Sequence, residues 1–259
     1  IAPRPPAGPE VSASSAVMFS PKQAEPSTFT WQSSDELMAH TENESAADML
    51  VRLAHEHEGE LVVIAIGPLT TLALALQQDP SIAGKVHEVV IMGGAALVPG
   101  NLSAVGEANI WNDPEAAQIV MQAPWQVVLV PLDVTLENYF EEDDRLALAA
   151  SDSELNRALA DILDLYFDFY VAEYGRKLCA LHDPLAAAIA VGQITATRAP
   201  IVPVGVDGAQ GPGRGQTICD LRGQRTGPKD VEGAHVRVVL DTDQPLGPVL
   251  LARLLDYQP

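Results

Sequence analysis

Apolar residues follow two rhythms in this chain, and the points where one gives way to the other outline the fold. Ala46, Met49, Leu50 and Leu53 recur at helical spacing, and Leu61 to Ile66 is then a short continuous apolar run that stops at Gly67-Pro68. That order reads as a helix followed by a buried strand. Leu69 to Gln78 returns to helical composition, and Val86 to Met92 is a second buried run, ended by Gly93-Gly94. Asp113-Pro114-Glu115 has the form of a helix cap with proline in the first turn, and a third run, Val127 to Pro131, follows it. Further helices are predicted over Glu154 to Tyr174, Leu185 to Val191 and Pro248 to Leu255. Strands are predicted around Ile201 to Val206, Gln216 to Asp220 and Val236 to Leu240. The long helix is expected to bury Leu155, Leu159, Ile162, Leu163, Tyr166, Phe169 and Tyr170. Short apolar strands alternating with helices imply right-handed crossovers and a mostly parallel sheet with helices on both faces, an open α/β sandwich.

Residues 1–43 break this pattern. They carry six prolines by position 26 and sustain no period, so they are expected as an extended arm or loop ahead of one α/β domain over 44–259. A chain of 259 residues, 47% hydrophobic, can bury one sizeable core. Its 15 Lys and Arg against 35 Asp and Glu give a formal charge of −20, which repels a nucleic-acid backbone and an anionic membrane alike. Cys179 and Cys219 lie far apart with no ligand spacing around them, which argues against structural zinc or a disulfide framework and fits a cytoplasmic protein.

In an open parallel sheet, ligands collect beyond the carboxyl ends of the strands. Three loops should emerge there: Ile66 to Thr70, Met92 to Asp113, and Leu132 to Thr135. The second is about twenty residues long, unusual inside a compact domain, and holds Asn101, Glu107 and Asn109, short polar groups suited to gripping hydroxyls. His182-Asp183-Pro184 precedes a helical stretch, so Asp183 reads first as a cap and His182 as a packed imidazole. His40, His55, His57, His87 and His235 sit in no motif and read as surface or structural. The aromatic groups of Tyr166, Phe167, Tyr170 and Tyr174 read as core, with flanking of a bound ring as the alternative.

Six strings together resemble one family. Ile66-Gly-Pro-Leu-Thr-Thr71, Val90-Ile-Met-Gly-Gly94, Pro99 to Asn109, Asn112-Asp-Pro-Glu-Ala-Ala117, Val130-Pro-Leu-Asp-Val-Thr135 and Leu181-His-Asp-Pro-Leu-Ala186 are similar, in order and interval, to the inosine-uridine-preferring nucleoside hydrolases, from about Ser45 onward. The resemblance implies hydrolysis of the N-glycosidic bond of ribonucleosides by a Ca²⁺-bound water. It implies Asp183 and the main-chain carbonyl of Ile66 as metal ligands, and Asn101, Glu107 and Asn109 as ribose contacts with Met92 beneath the sugar. It makes His182 the group that protonates the departing base, Asn109 its companion in catalysis, and the protein a homodimer or homotetramer. An imidazole titrating near working pH suits that role. Two positions depart from the family: Ala108 stands where it has Phe, which leaves substrate preference open, and Thr71 where it has Asn.

A larger departure concerns the metal. The family's strand ending in Asp-x-Asp-x-x-x-Asp-Asp has no counterpart here, since Asp143-Asp144 follows no apolar strand. One carboxylate and one carbonyl fall short of the roughly six to eight oxygens calcium takes, so this chain alone is expected to be weak or inactive. A fragment of an active enzyme, a silent nucleoside- or ribose-binding or scaffold homologue, and completion by another chain are the readings that follow. A sheet short of a strand would also present an apolar edge open to pairing.

Overall fold

The structure, a computed structural model, describes residues 44–257; the expected proline-rich arm over 1–43 lies outside the described residues. From Ser45 the chain runs through α1 (Ala46–Glu56), β1 (Val62–Ala65), α2 (Thr70–Gln78), β2 (Glu88–Met92), α3 (Ala108–Asn112), α4 (Pro114–Gln122) and β3 (Val127–Val130). A one-turn helix α5 (Leu132–Thr135) and β4 (Tyr139–Glu141) lead into α6 (Glu142–Ala149) and the long α7 (Glu154–Tyr174). Next come β5 (Leu178–Ala180), α8 (His182–Ala190), β6 (Ala196–Arg198), β7 (Ile201–Val202), β8 (Val204–Val206) and β9 (Thr217–Cys219). β10 (Val236–Val238), β11 (Asp241–Thr242) and α9 (Leu246–Asp256) follow.

The main sheet has the order β1-β2-β3-β10-β7, parallel from β1 to β10 and antiparallel at β7. Residues 89–92 of β2 and all of β3 read as unbroken apolar runs because both faces are covered, whereas β10 carries Arg237 between its two valines. Val89, Ile91, Val127 and Leu129 point into a core with α1, α2 and α4, where Ile82, Met121 and Trp125 also pack. Their neighbours Val90, Met92, Val128 and Val130 point the other way, against Leu181, Leu185 and Ala186 around α8 and against Leu148, Ala160 and Leu246. Period-two alternation thus divides each strand between two cores, giving the expected α/β sandwich. Among the described residues no helix is long and apolar enough to cross a membrane.

Two expectations need correction. The run Leu61 to Ile66 is less buried than predicted: β1 is an edge of the sheet among the described residues, leaving Ile64 at 39% and Ile66 at 52% exposure. The stripe on α7 is also displaced. Leu155, Ile162, Tyr166 and Phe169 are exposed, and the buried line is Asn156, Ala160, Phe167 and Tyr170, with Leu159 and Leu163 partly buried beside it. This helix is apolar over too wide an arc for its own sequence to show which line meets the body.

Asp113 is the cap that its Asp-Pro signature predicts. Its Oδ1 accepts the amide of Ala116 at 3.0 Å, and Oδ2 accepts the Thr70 hydroxyl from the start of α2. Replacing Asp113 with Ala should cost about 1–2 kcal/mol, the upper range of a lost cap, because the bond to α2 goes with it. Urea denaturation checks this, and an unchanged midpoint would show that neither bond contributes.

Candidate active site

The carboxyl ends of β1, β2 and β3 point toward the same end of the sheet, and Ala65 is in register with Ile91, so Ile66 follows beside Met92. After Met92 the chain must turn sharply out of the sheet. Gly94 does this at φ +80°, a conformation that glycine adopts without a side-chain penalty. The turn is held by Glu107, buried at 2% exposure, whose Oε2 accepts the amides of Gly94 at 2.9 Å and Ile110 at 3.2 Å while Oε1 accepts that of Asn109 at 2.9 Å. Glu107 therefore caps α3 and ties both ends of the long loop together. Burial pushes its carboxyl above the usual range, and the three amides offset part of that. Asn109 bonds through Nδ2 to the Met92 carbonyl at 3.1 Å and to its sulfur at 3.3 Å. Exposed Asn101 accepts the amide of Ala108 at 2.9 Å, so its carbonyl is occupied with loop structure.

Hydrogen bonds join the three loops. Thr70 in the first donates to Asp113 at the end of the second. Leu132 in the third donates its amide to the Gly94 carbonyl at 2.9 Å, and Asp133 accepts the amides of Ala96 and Leu97, both at 2.7 Å. From the same one-turn helix, the Thr135 hydroxyl lies 2.7 Å from His182 Nδ1. Tyr170 of α7 approaches the other ring nitrogen, its hydroxyl 3.4 Å from Nε2. Asp183 lies near enough to Glu107 for its charge to raise that group further. Met92, Glu107, Asn109, His182 and Asp183 are thus linked around the ends of β2 and β3, with Asn101 and Ile66 on the adjoining loops.

The His-Asp-Pro stretch differs from the cap reading. Helix α8 starts at His182 with Leu181 as its N-cap, and no side chain caps it. Asp183 is the second residue of the helix, where the positive end of the helix dipole favours an acid, and among the described residues its carboxylate makes no hydrogen bond. Burial raises its pKa. His182 departs from expectation too: burial lowers it to about 4, so at neutral pH the ring is uncharged instead of titrating near working pH.

The sequence family model described as inosine-uridine preferring nucleoside hydrolase matches residues 10–246. The chain belongs to this family. It is 42% identical over 143 residues to a probable uridine nucleosidase 2 of Oryza sativa subsp. japonica, covering 55% of this chain and 42% of that relative. Against the inosine-uridine preferring nucleoside hydrolase of Crithidia fasciculata it is 32% identical over 199 residues, 76% of this chain and 61% of the relative. A solved plant nucleoside hydrolase superposes with a TM-score of 0.76 at 31% identity, covering 83% of this chain and 68% of that one. This nucleoside hydrolase family chain thus spans about half the length of the curated relatives it matches. The match begins at residue 10, well before Ser45, where the similarity of strings starts.

Among the described residues no three of His, Cys, Asp or Glu cluster to hold a metal ion. Asp183 is one free carboxylate, whereas both oxygens of Glu107 are already committed to backbone amides. This donor set does not fit calcium by itself. Sequence reasoning does not single out Asp133 and Thr135 as site residues, although their string is one of the six. Nothing local marks them, because their partners lie 37 and 47 residues away. The core reading of the aromatic group holds for Phe167 and for Tyr170, which packs beside His182, but not for Tyr166, which is exposed.

Proposed function

We propose that the whole protein hydrolyses the N-glycosidic bond of ribonucleosides, with ribose and base held at the ends of β2 and β3. The observation carrying this reading is the set of hydrogen bonds that ties Met92, Glu107 and Asn109 to one another and His182 to the neighbouring loop, with Asp183 next to His182 in the chain, at the end of the sheet where ligands of such folds bind. Among the described residues the Asn109 side-chain carbonyl takes no hydrogen bond, so it can accept one from a sugar hydroxyl, and Asn101 lies on the same loop. Met92 supplies an apolar surface below the ring. Asp183 and Glu107 place negative charge where a flattened, oxocarbenium-like ribosyl group develops positive charge. His182, neutral at physiological pH, donates a hydrogen bond to the departing base. Ca²⁺ bound through Asp183 and the Ile66 carbonyl, a cytoplasmic location and a homodimeric or homotetrameric state belong to the same proposal. A second reading, binding of nucleoside or ribose without cleavage, is favoured because among the described residues no three metal-ligating side chains cluster.

The test is ribose release from inosine and uridine by the 259-residue chain, with and without added Ca²⁺, beside calorimetric titration with each nucleoside. Release supports hydrolysis, and release only with Ca²⁺ supports the metal assignment. Heat without release moves the conclusion to the binding reading, and silence in both assays sinks the proposal for this chain. Where release is seen, His182→Ala should reduce turnover of inosine more than that of a riboside with an activated leaving group. Equal losses would remove the histidine from the base side of the site.

A further inference from the structure

We infer that Thr135, presented by the one-turn helix α5, is a positioning residue for His182: it donates its hydroxyl hydrogen to Nδ1 and so keeps the ring's own N–H on Nε2, free for the base. This rests on the reading of His182 as the donor to the leaving group and adds the device that sets its tautomer.

The argument starts from the one hydrogen that a threonine hydroxyl carries. Thr135 is fully buried, and among the described residues the partner of its Oγ1 is His182 Nδ1, at 2.7 Å. If Nδ1–H donated to Oγ1, the hydroxyl hydrogen would be buried with no acceptor, the costlier way to leave a polar group. With the hydroxyl donating, Nδ1 is the acceptor and the ring hydrogen sits on Nε2. On that side the Tyr170 hydroxyl is 3.4 Å away, long for a hydrogen bond between such groups. The Nε2–H can therefore turn to a heteroatom of a bound base without breaking a strong bond.

The two partners are also fixed in space. Asn138 Nδ2 donates to the Val134 carbonyl at 2.9 Å, its Oδ1 accepts the Leu246 amide at 2.7 Å, and its backbone carbonyl accepts the Leu181 amide at 2.7 Å. Residue 138 thus staples the end of α5 to the start of α8, so the hydroxyl and the ring cannot drift apart independently. At the other end of α5, Asp133 holds Ala96 and Leu97 in the long loop. One turn of helix sets both the loop over the sugar and the ring over the base. A hydrogen bond to the ring nitrogen that faces away from the ligand is the usual means by which a protein selects between the two imidazole tautomers.

The test needs no turnover. In the ¹⁵N-labelled 259-residue chain at neutral pH, long-range ¹H–¹⁵N correlation distinguishes the protonated from the unprotonated ring nitrogen, and the His182 signals are those lost in His182→Ala. The expected pattern is a dominant Nε2–H tautomer that loses its dominance in Thr135→Val, which keeps the shape and removes the hydroxyl, and regains it in Thr135→Ser. An Nδ1–H tautomer in the unaltered chain overturns the inference without any variant, and so does a Thr135→Val spectrum with the original tautomer. The spectrum and the ribose assay fail separately. The expected tautomer with no nucleoside bound or cleaved defeats the functional reading and leaves the Thr135 geometry standing, whereas cleavage with the wrong tautomer does the reverse.

Discussion

Replacing Glu107 with Ala is expected to remove on the order of 5 kcal/mol of stability, because three buried amides lose their acceptor and each orphaned donor costs about 1–3 kcal/mol. Those amides belong to Gly94, Asn109 and Ile110, so the loss is concentrated where the long loop leaves the sheet and where it re-enters as α3. Glu107→Gln is the sharper experiment. Its amide has a single oxygen, so however it is oriented at least one backbone N–H faces the new NH₂ group. The expected cost is about 1–3 kcal/mol, well below that of Ala. In a domain of this size each kcal/mol moves the thermal midpoint by roughly 2–4 °C. Urea or thermal denaturation of the three proteins should therefore rank them unaltered, Gln, Ala. If Gln matches the unaltered chain, the carboxylate is not the organiser of this loop. Where the unaltered chain gives a calorimetric signal with a nucleoside, both variants should lose it, since Asn109 is placed through the same contacts.

How much of the fold is legible in the sequence depends on whether the cause of each feature is local. The strands around Val90 and Val128 are readable because burial on both faces leaves a continuous apolar run, and β1 around Val63 is readable from a similar run although it is only partly buried. The cap at Asp113 is readable because its bond to Ala116 spans three residues. The glycine pair at 93 and 94 marks a turn by its residue type alone. The inward line of α7 is not legible. Asn156 is wholly buried there, through bonds to the Ser151 hydroxyl and the Leu254 carbonyl, a partner 98 residues away. Periodicity gives a polar residue no place on an apolar stripe, so it selects exposed Leu155 and Phe169 in its stead.

The site shows the same division. Glu107 and Asn109 are flagged by the length of their loop and their polarity, His182 and Asp183 as site residues only through a family string, and the structure gives Glu107 a job that neither signal reveals: among the described residues its hydrogen bonds go to backbone amides. Thr135 and Asp133 stand in one of those strings, on a helix too short for any periodicity to show. The edge position of β1 is equally hidden, since an apolar run such as Val62 to Ile66 looks the same in the middle of a sheet and at its margin.

Gly94→Ala is expected to be nearly as damaging as the loss of Glu107, for reasons of shape instead of hydrogen bonding. The backbone at φ +80° lies in the left-handed region, where a Cβ costs about 1–2 kcal/mol. That Cβ would also lie 2.7 Å from the Thr217 hydroxyl oxygen and 3.2 Å from its methyl carbon, on β9. Thr217 is buried at 3% exposure and cannot swing into solvent, so relief requires moving β9 or the turn, an overpacking cost of about 1–3 kcal/mol. The sum is about 2–5 kcal/mol. Thr217 also lets the two contributions be separated. Its hydroxyl has no hydrogen-bond partner among the described residues, so Thr217→Ser removes the methyl and Thr217→Ala removes the crowding atom as well. Combined with Gly94→Ala, Thr217→Ala should recover the overpacking part and leave the left-handed penalty, a double-mutant coupling of about 1–3 kcal/mol. Strictly additive losses in urea denaturation would mean that β9 yields freely, and the turn after Met92 would then owe its shape to Glu107 and the backbone alone.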